Sequence, residues 1–319
     1  MKYKWELDIN VLIIFFVRDE VLKKTFEAVK KARPRRLLLW QDGPRENRPD
    51  DIEGIKRCRK IVEDIDWDCE VYKTYNEKNI GCDPSVFYAY KWAFTIVDKC
   101  IFLEDDQVAN QSFFRYCKEL LDKYENDTRI SHICGVNYTE ITEDCDSDYL
   151  FAPFGSGAWA TWKRVVDEWE GDYAFLNDKR EIEWVKTRYG ELADITIKIA
   201  LERKEKKKEF WESIVGCNCM FNSHYAIIPK KNLISNVGLT ENATHSAKKK
   251  YMPKVTAALF DMKTYEIEFP LKHPKHVLVN QSYIKKVYRI MGIGHPIIKA
   301  KRRIESKLRR LFKIGNGYE

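Results

Sequence analysis

Through its first 135 residues the chain alternates short strand-like runs with stretches of helical periodicity, and this alternation constrains the fold most. Val11 to Val17 (VLIIFFV) reads as a buried strand, followed by a helix from about Asp19 to Ala32. RRLLLWQDGP gives a second short strand and a turn. Ile52, Ile55, Ile61, Val62 and Ile65 recur at helical intervals before a strand at Cys69 to Tyr75. Pro84 can open a helix carrying Phe87, Lys91, Phe94 and Val97. Cys100 to Leu103 is the fourth strand, Phe113, Cys117, Leu120, Leu121 and Tyr124 form another helical stripe, and SHICGV is a fifth strand. The pattern predicts an α/β fold, a mainly parallel central sheet flanked by helices. Such sheets bind ligands outside the carboxyl ends of their strands. The loops at Arg18, Gln41, Asn79 to Ser85 and Glu104 should therefore converge.

The last of these loops carries three consecutive acids, Glu104, Asp105 and Asp106, directly after an apolar run. Three adjacent carboxylates repel one another, and nothing nearby in sequence neutralises them. A solvated turn is the ordinary explanation. The alternative is a hard cation, Mn²⁺ or Mg²⁺, which takes oxygen ligands and commonly binds one or two carboxylates together with substrate phosphates. Asp106 would then hold the metal, while Asp105 or Glu104 meets a ribose or a metal-bound water.

Composition removes several other classes. With 44% hydrophobic and 13% aromatic residues, the 319-residue chain can build a substantial core. Its 56 basic and 49 acidic residues leave a net charge of +7, little for a nucleic-acid partner. Nine cysteines are scattered without zinc-like spacing, Cys217 and Cys219 reading as helical packing, which suits a reduced, cytoplasmic setting. The N-terminal apolar run is too short to span a bilayer and lacks signal-peptide flanks.

The second half is less regular. FGSGAWATW mixes small residues with tryptophans, and residues from about Leu192 to Asn222 read as helical through the solvated run ERKEKKKE. From Tyr283 onward the chain is rich in Lys and Arg with almost no acids. Ile297, Ile304, Leu308, Leu311 and Phe312 line one face of a helix after Pro296. A basic amphipathic tail suits an anionic membrane surface. RNA is the competing partner, but no nucleic-acid motif accompanies it.

IFLEDDQVANQSFFRYCKELLDKY resembles the acidic-motif region of GT-A nucleotide-sugar glycosyltransferases of the D-x-D class. It is similar to bacterial proteins related to N-acetylglucosaminyltransferase I-like and family-two enzymes. IIFFVRDEVLKKTFEAV, LLLWQDGPR, NEKNIGCDPSVFYAYKWAF, FGSGAWATWKR and KKNLISNVGLTENATHS resemble further blocks in the same order, so the likeness covers roughly residues 10–246. Two departures fall in the first block: Val17 stands where relatives often have Asn, and no Pro follows Arg18.

The resemblance implies a metal-dependent, inverting transfer of sugar from a nucleotide-diphosphate donor to a glycan acceptor. The implied setting is envelope polysaccharide growing on a lipid carrier, with the enzyme peripheral on the inner face of the cell membrane. Arg18 would lie near the nucleotide, Asp42 would contact the base or ribose, and Asn79 would orient the base. A turn-forming Asp before Gly43 and a loop-capping Asn are the ordinary alternatives. Trp159 and Trp162 could stack on a sugar, against the ordinary alternative of core packing. Glu212, following Trp211, matches the position of the acceptor-side base, with Glu183 in reserve. His245, in the Thr-His pair, would complete the metal or diphosphate site. The expected layout is a glycosyltransferase domain over 1–250, its nucleotide-sugar half about 1–135 and its acceptor half about 136–250. A C-terminal extension over 251–319 follows. Two rivals are a nucleotidyltransferase, which should open with a Gly-rich loop that FFVRDEVLKK lacks, and a non-catalytic glycan- or nucleotide-binding protein.

Overall fold

The computed structural model describes residues 4–207, 209–239, 251–312 and 314. Strand β1 (Leu7–Phe15) is apolar on both faces because helices cover both sides of the sheet. Its Val11, Ile13 and Phe15 point into one core with α1 (Asp19–Ala32), α2 (Pro49–Val62) and α4 (Gln111–Lys123). Leu12 and Ile14 point into the other with α3 (Cys82–Ala93), α6 (Lys179–Tyr189), α7 (Glu191–Glu205) and α8 (Trp211–Phe221). The period of two in one strand thus divides the protein into two cores. β2 (Pro34–Gln41), β3 (Glu70–Tyr75) and β4 (Lys99–Glu104) complete the first half of the sheet, with α1, α2 and α3 as the crossovers. These four strands are parallel, and the register Phe15↔Gln41 and Ile14↔Glu104 brings three strand ends to one edge.

Beyond β4 the expected parallel pattern fails. The eight-stranded sheet has the order β3-β2-β1-β4-β8-β6-β9-β7 and is mixed. β8 (Trp159–Trp162) runs antiparallel to both β4 and β6 (Ile130–Cys134), and β7 (Tyr149–Ala152) runs antiparallel to β9 (Tyr225–Pro229). The reason lies in the connections. No helix separates β6, β7 and β8, and a parallel pair needs a crossover of a dozen or more residues, usually helical. A separate pair, β5 (Gln107–Ala109) with β10 (Ile234–Asn236), ties the segment after the acids to the late loop. α5 (Lys163–Asp167) is a short turn after β8.

The helical stretch expected from about 192 to 222 is two helices, α7 and α8, and α7 ends within the charge run. Cys217 and Cys219 are buried in α8, as helical packing predicts. All nine cysteines are free thiols. The extension docks on the sheet edge, where the Asn280 amide donates to the Phe151 carbonyl at 2.9 Å, then continues as α9 (Gln281–Met291) and α10 (Pro296–Leu311).

Candidate active site

The acidic turn is built rigidly. The Glu104 amide donates to Gln107 Oε1 at 3.1 Å, and Gln107 Nε2 donates back to Glu104 Oε1 at 3.3 Å. From α1, Thr25 Oγ1 donates to the Asp105 carbonyl at 2.9 Å. The β5–β10 pairing sets Asn236 opposite Gln107, from where its Nδ2 donates to Asp106 Oδ1 at 3.4 Å. Gly238 lies so close to Asp106 Oδ2 that a Cβ there would collide with it. Only glycine permits this approach.

The expectation that nothing neutralises the acids holds in sequence and fails in space. Arg18, three residues past β1, donates from Nε to Asp105 Oδ2 at 3.3 Å and from Nη2 to Asp105 Oδ1 and to Asp106 Oδ2, the last at 3.0 Å. Burial alone would lower the Arg18 pKa, but Asp105 and Asp106 hold it above its ordinary value. Burial pushes the Asp105 carboxyl up against the opposing pull of Arg18. Glu104 is pushed up by burial first and then by the charges of Asp106, Asp105 and Glu212.

For a metal, the donor chemistry is all oxygen, as a hard cation requires. Among the described residues no three His, Cys, Asp or Glu side chains are grouped to hold an ion, and His245 lies outside the described residues. One carboxylate with substrate phosphates suffices for Mg²⁺ or Mn²⁺. In this structure the two Asp106 oxygens are taken by Arg18 Nη2 at 3.0 Å and Asn236 Nδ2 at 3.4 Å, so a cation there would have to displace the guanidinium.

Asp42 and Asn79 take the ordinary alternatives, a turn-forming Asp before Gly43 and a loop-capping Asn. Asp42 is buried, and its two oxygens accept from the amides of Gly43, Ile80 and Gly81 and from Asn76 Nδ2, at 3.0 to 3.3 Å. A carboxylate has about four lone-pair sites, so little capacity remains for a nucleobase. Burial raises its pKa, and these bonds pull it back. Asn79 Nδ2 donates to the Gly43 carbonyl at 2.9 Å. Gly43 is required because a Cβ there would come within 2.5 Å of the Lys78 backbone. Together these residues clamp two loops into one wall. Against that wall lies a cavity of about 180 Å³, lined in part by Arg18, Asp42, Asn79, Glu104 and Asp105. That is below the ~300–1,000 Å³ of pockets for whole drug-sized ligands, so it can enclose only part of such a ligand.

The tryptophans take the core-packing alternative. Trp159 is 3% exposed and Trp162 2%, so neither presents a face to a sugar. Trp162 donates to the Leu121 carbonyl at 3.0 Å. Trp159 stacks on Trp211 with ring centroids 6.1 Å apart and planes at 8°. It thereby fixes the first turn of α8, from which Glu212 projects. The Glu212 side chain is open to solvent and makes no hydrogen bond or ion pair among the described residues. Surrounding protein raises its pKa, and Asp83 adds to the effect. Glu212 in turn lies near enough to Glu104 for its charge to raise that carboxyl. Glu183, the reserve base, is exposed on α6 and pairs with Lys186 at 3.5 Å, an ordinary solvated helix carboxylate.

Asn236, Gly238 and Gln107 escaped the sequence reading as site residues. Their signal was the NVG stretch, whose meaning depends on β10 pairing beside the acids.

No family model matches the chain, and no curated protein does. Among solved structures it is similar to UDP-glucose pyrophosphorylase in complex with UDP-glucose (TM-score 0.35, 10% identity, 75% of this chain and 97% of that one). It is also similar to mouse xyloside xylosyltransferase 1 (0.32, 12%, 57% and 76%). A third is 4-diphosphocytidyl-2C-methyl-D-erythritol synthase from Anaerococcus prevotii (0.30, 13%, 54% and 78%). Superpositions at these TM-scores do not determine chemistry.

Proposed function

We propose that the protein is a metal-dependent, inverting glycosyltransferase that moves a sugar from a nucleoside-diphosphate donor to a glycan acceptor. The observation carrying this reading is the acidic turn at the end of β4, where Arg18 binds Asp105 and Asp106 beside a cavity that Arg18, Glu104 and Asp105 line. The donor's nucleoside enters the cavity lined by Arg18, Asp42, Asn79, Glu104 and Asp105. A divalent cation at Asp106, when bound, would stabilise the charge of the leaving diphosphate. Glu212 removes the proton from the acceptor hydroxyl as its oxygen attacks the anomeric carbon. The bond from that carbon to the diphosphate oxygen breaks on the opposite face, and the nucleoside diphosphate carries away the electron pair. A raised pKa makes Glu212 a stronger base, so the rate should rise with pH through a value above the ordinary glutamate pKa of about 4.3. Growth of an envelope glycan on a lipid carrier is the setting suggested by the sequence resemblance.

Glu212→Gln tests the reading. The amide keeps the shape and cannot accept the proton, so turnover should fall roughly 10²-fold or more while donor affinity, read by calorimetry, stays within about twofold. Glu183→Gln, a change on the solvated face of α6, should leave turnover unaltered. The reverse pattern would assign the base to Glu183.

A further inference from the structure

Helix α10 is packed inside out. Its polar side turns toward the protein: Arg309 is 6% exposed, its Nε lies 3.2 Å from Glu305, and Ser306 Oγ donates to the Tyr251 carbonyl at 3.1 Å. Arg302 donates to the Arg289 carbonyl at 3.3 Å, and Lys299 pairs with Glu191 at the start of α7. Its apolar side faces outward, with Ile297 71%, Ile304 57%, Leu308 48% and Leu311 73% exposed, followed by Phe312 at 65%. Spacings of seven, four and three place these side chains on one stripe. A helix that completes a soluble fold turns the opposite way, because exposing such a stripe forgoes the gain from burial.

We propose that this stripe docks on an anionic phospholipid bilayer, lying in the interface plane with its apolar side chains in the acyl boundary. Charge complementarity selects that occupant. The helix carries seven Lys and Arg residues against one acid, Glu305, which is already paired with Arg309. Lys301, Arg303, Lys307 and Arg310 are exposed beside the stripe, where lipid phosphates would meet them. No described helix is long and apolar enough to cross a membrane, and α10 is 16 residues long, a length for lying on a surface. The binding itself does not depend on what reaction the crevice performs.

The test is co-sedimentation of the full chain with vesicles of phosphatidylcholine alone or with about a third phosphatidylglycerol, at low and high salt. The wild type should sediment with the anionic vesicles at low salt and be released by high salt. Ile304→Ser/Leu308→Ser/Leu311→Ser should lose binding at least tenfold. Because the replaced side chains are exposed, the fold should be spared, with circular dichroism as the check. Arg303→Glu/Lys307→Glu should lose about fivefold for each cation removed, since a cation near the leaflet contributes ~1 kcal/mol. Equal sedimentation of wild type and serine variant, or equal binding to neutral vesicles, would overturn the proposal. So would a stable dimer, seen by light scattering, that the serine variant dissociates, since the stripe would then belong to a second copy.

Discussion

The cavity and the start of α8 use their polar groups in opposite ways. In the cavity nearly every polar side chain is already bonded to the protein: Asp42 to three amides, Asn79 to a carbonyl, and Arg18 to two carboxylates. At the start of α8 Glu212 makes no hydrogen bond or ion pair among the described residues, next in sequence to Trp211, which stacks on Trp159. The cavity is lined by satisfied charges that a ligand must rearrange, and under the proposed function Glu212 is a base on a rigid apolar mount. Buried charges are tolerated only when paired, whereas a general base needs its lone pair unshared, so the two demands cannot be met by one kind of surface.

The largest effect expected from breaking this contrast is at Asp106. Asp106→Ala should weaken Mn²⁺-dependent donor binding by roughly tenfold to a hundredfold, the scale of losing a charged contact. Arg18 would still pair with Asp105, so the ligand-free protein should keep its fold. Titration calorimetry with and without Mn²⁺ reads this, and unchanged Mn²⁺-dependent affinity would remove Asp106 from the site.

Arg18→Ala should destabilise the protein by ~3 kcal/mol, because it leaves buried carboxylates unpaired. Mn²⁺ should restore more stability to this variant than it adds to the wild type, since the ion replaces the lost charge. Urea unfolding with and without Mn²⁺ measures both, and equal Mn²⁺ effects on the two proteins would mean that Arg18 does not occupy the cation's place.

A further effect, growing in only as pH falls, concerns the apolar mount. His132 in β6 lies against Trp159 at 5.4 Å, and its Nε2 donates to the Gly155 carbonyl at 3.1 Å. Burial lowers its pKa from 6.5 to about 4, so the folded protein holds it neutral while the unfolded chain protonates it. Its contribution to stability is present above pH 6.5 and is lost as pH falls through about 4, reaching at most on the order of 3 kcal/mol. The wild type should therefore lose stability relative to His132→Gln over that window. Parallel pH profiles for the two proteins would contradict the neutral assignment.

The first half of the sheet was largely legible in the sequence because its strands are apolar and separated by periodic helices, so the loops carrying Arg18, Asp42 and Glu104 could be placed at one edge. What escaped was pairing across distance. The Arg18–Asp105 contact spans 87 residues, and no local pattern encodes it. The second half of the sheet was less legible, because β7 and β8 are four-residue strands without crossover helices and their direction is set by their neighbours. Trp159 was left with two readings for a related reason. An aromatic residue in a small-residue segment looks alike whether it faces a ligand or the core, and only the stacking of Trp211 decides. The helix start at Trp211 and Glu212 lay within the stretch expected to be helical, and the outward turn of α10 was not legible, since periodicity identifies a stripe without saying which way it faces.

The central claim is that the crevice cleaves a donor between its anomeric carbon and its diphosphate. The direct measurement is product identity from candidate nucleotide sugars with Mn²⁺, comparing wild type with Glu212→Gln. The account predicts nucleoside diphosphate together with glycosylated acceptor, both falling at least about 10²-fold in the variant. Production of nucleoside triphosphate and sugar phosphate from donor and pyrophosphate, undiminished in the variant, would contradict it and make the protein a nucleotidyltransferase.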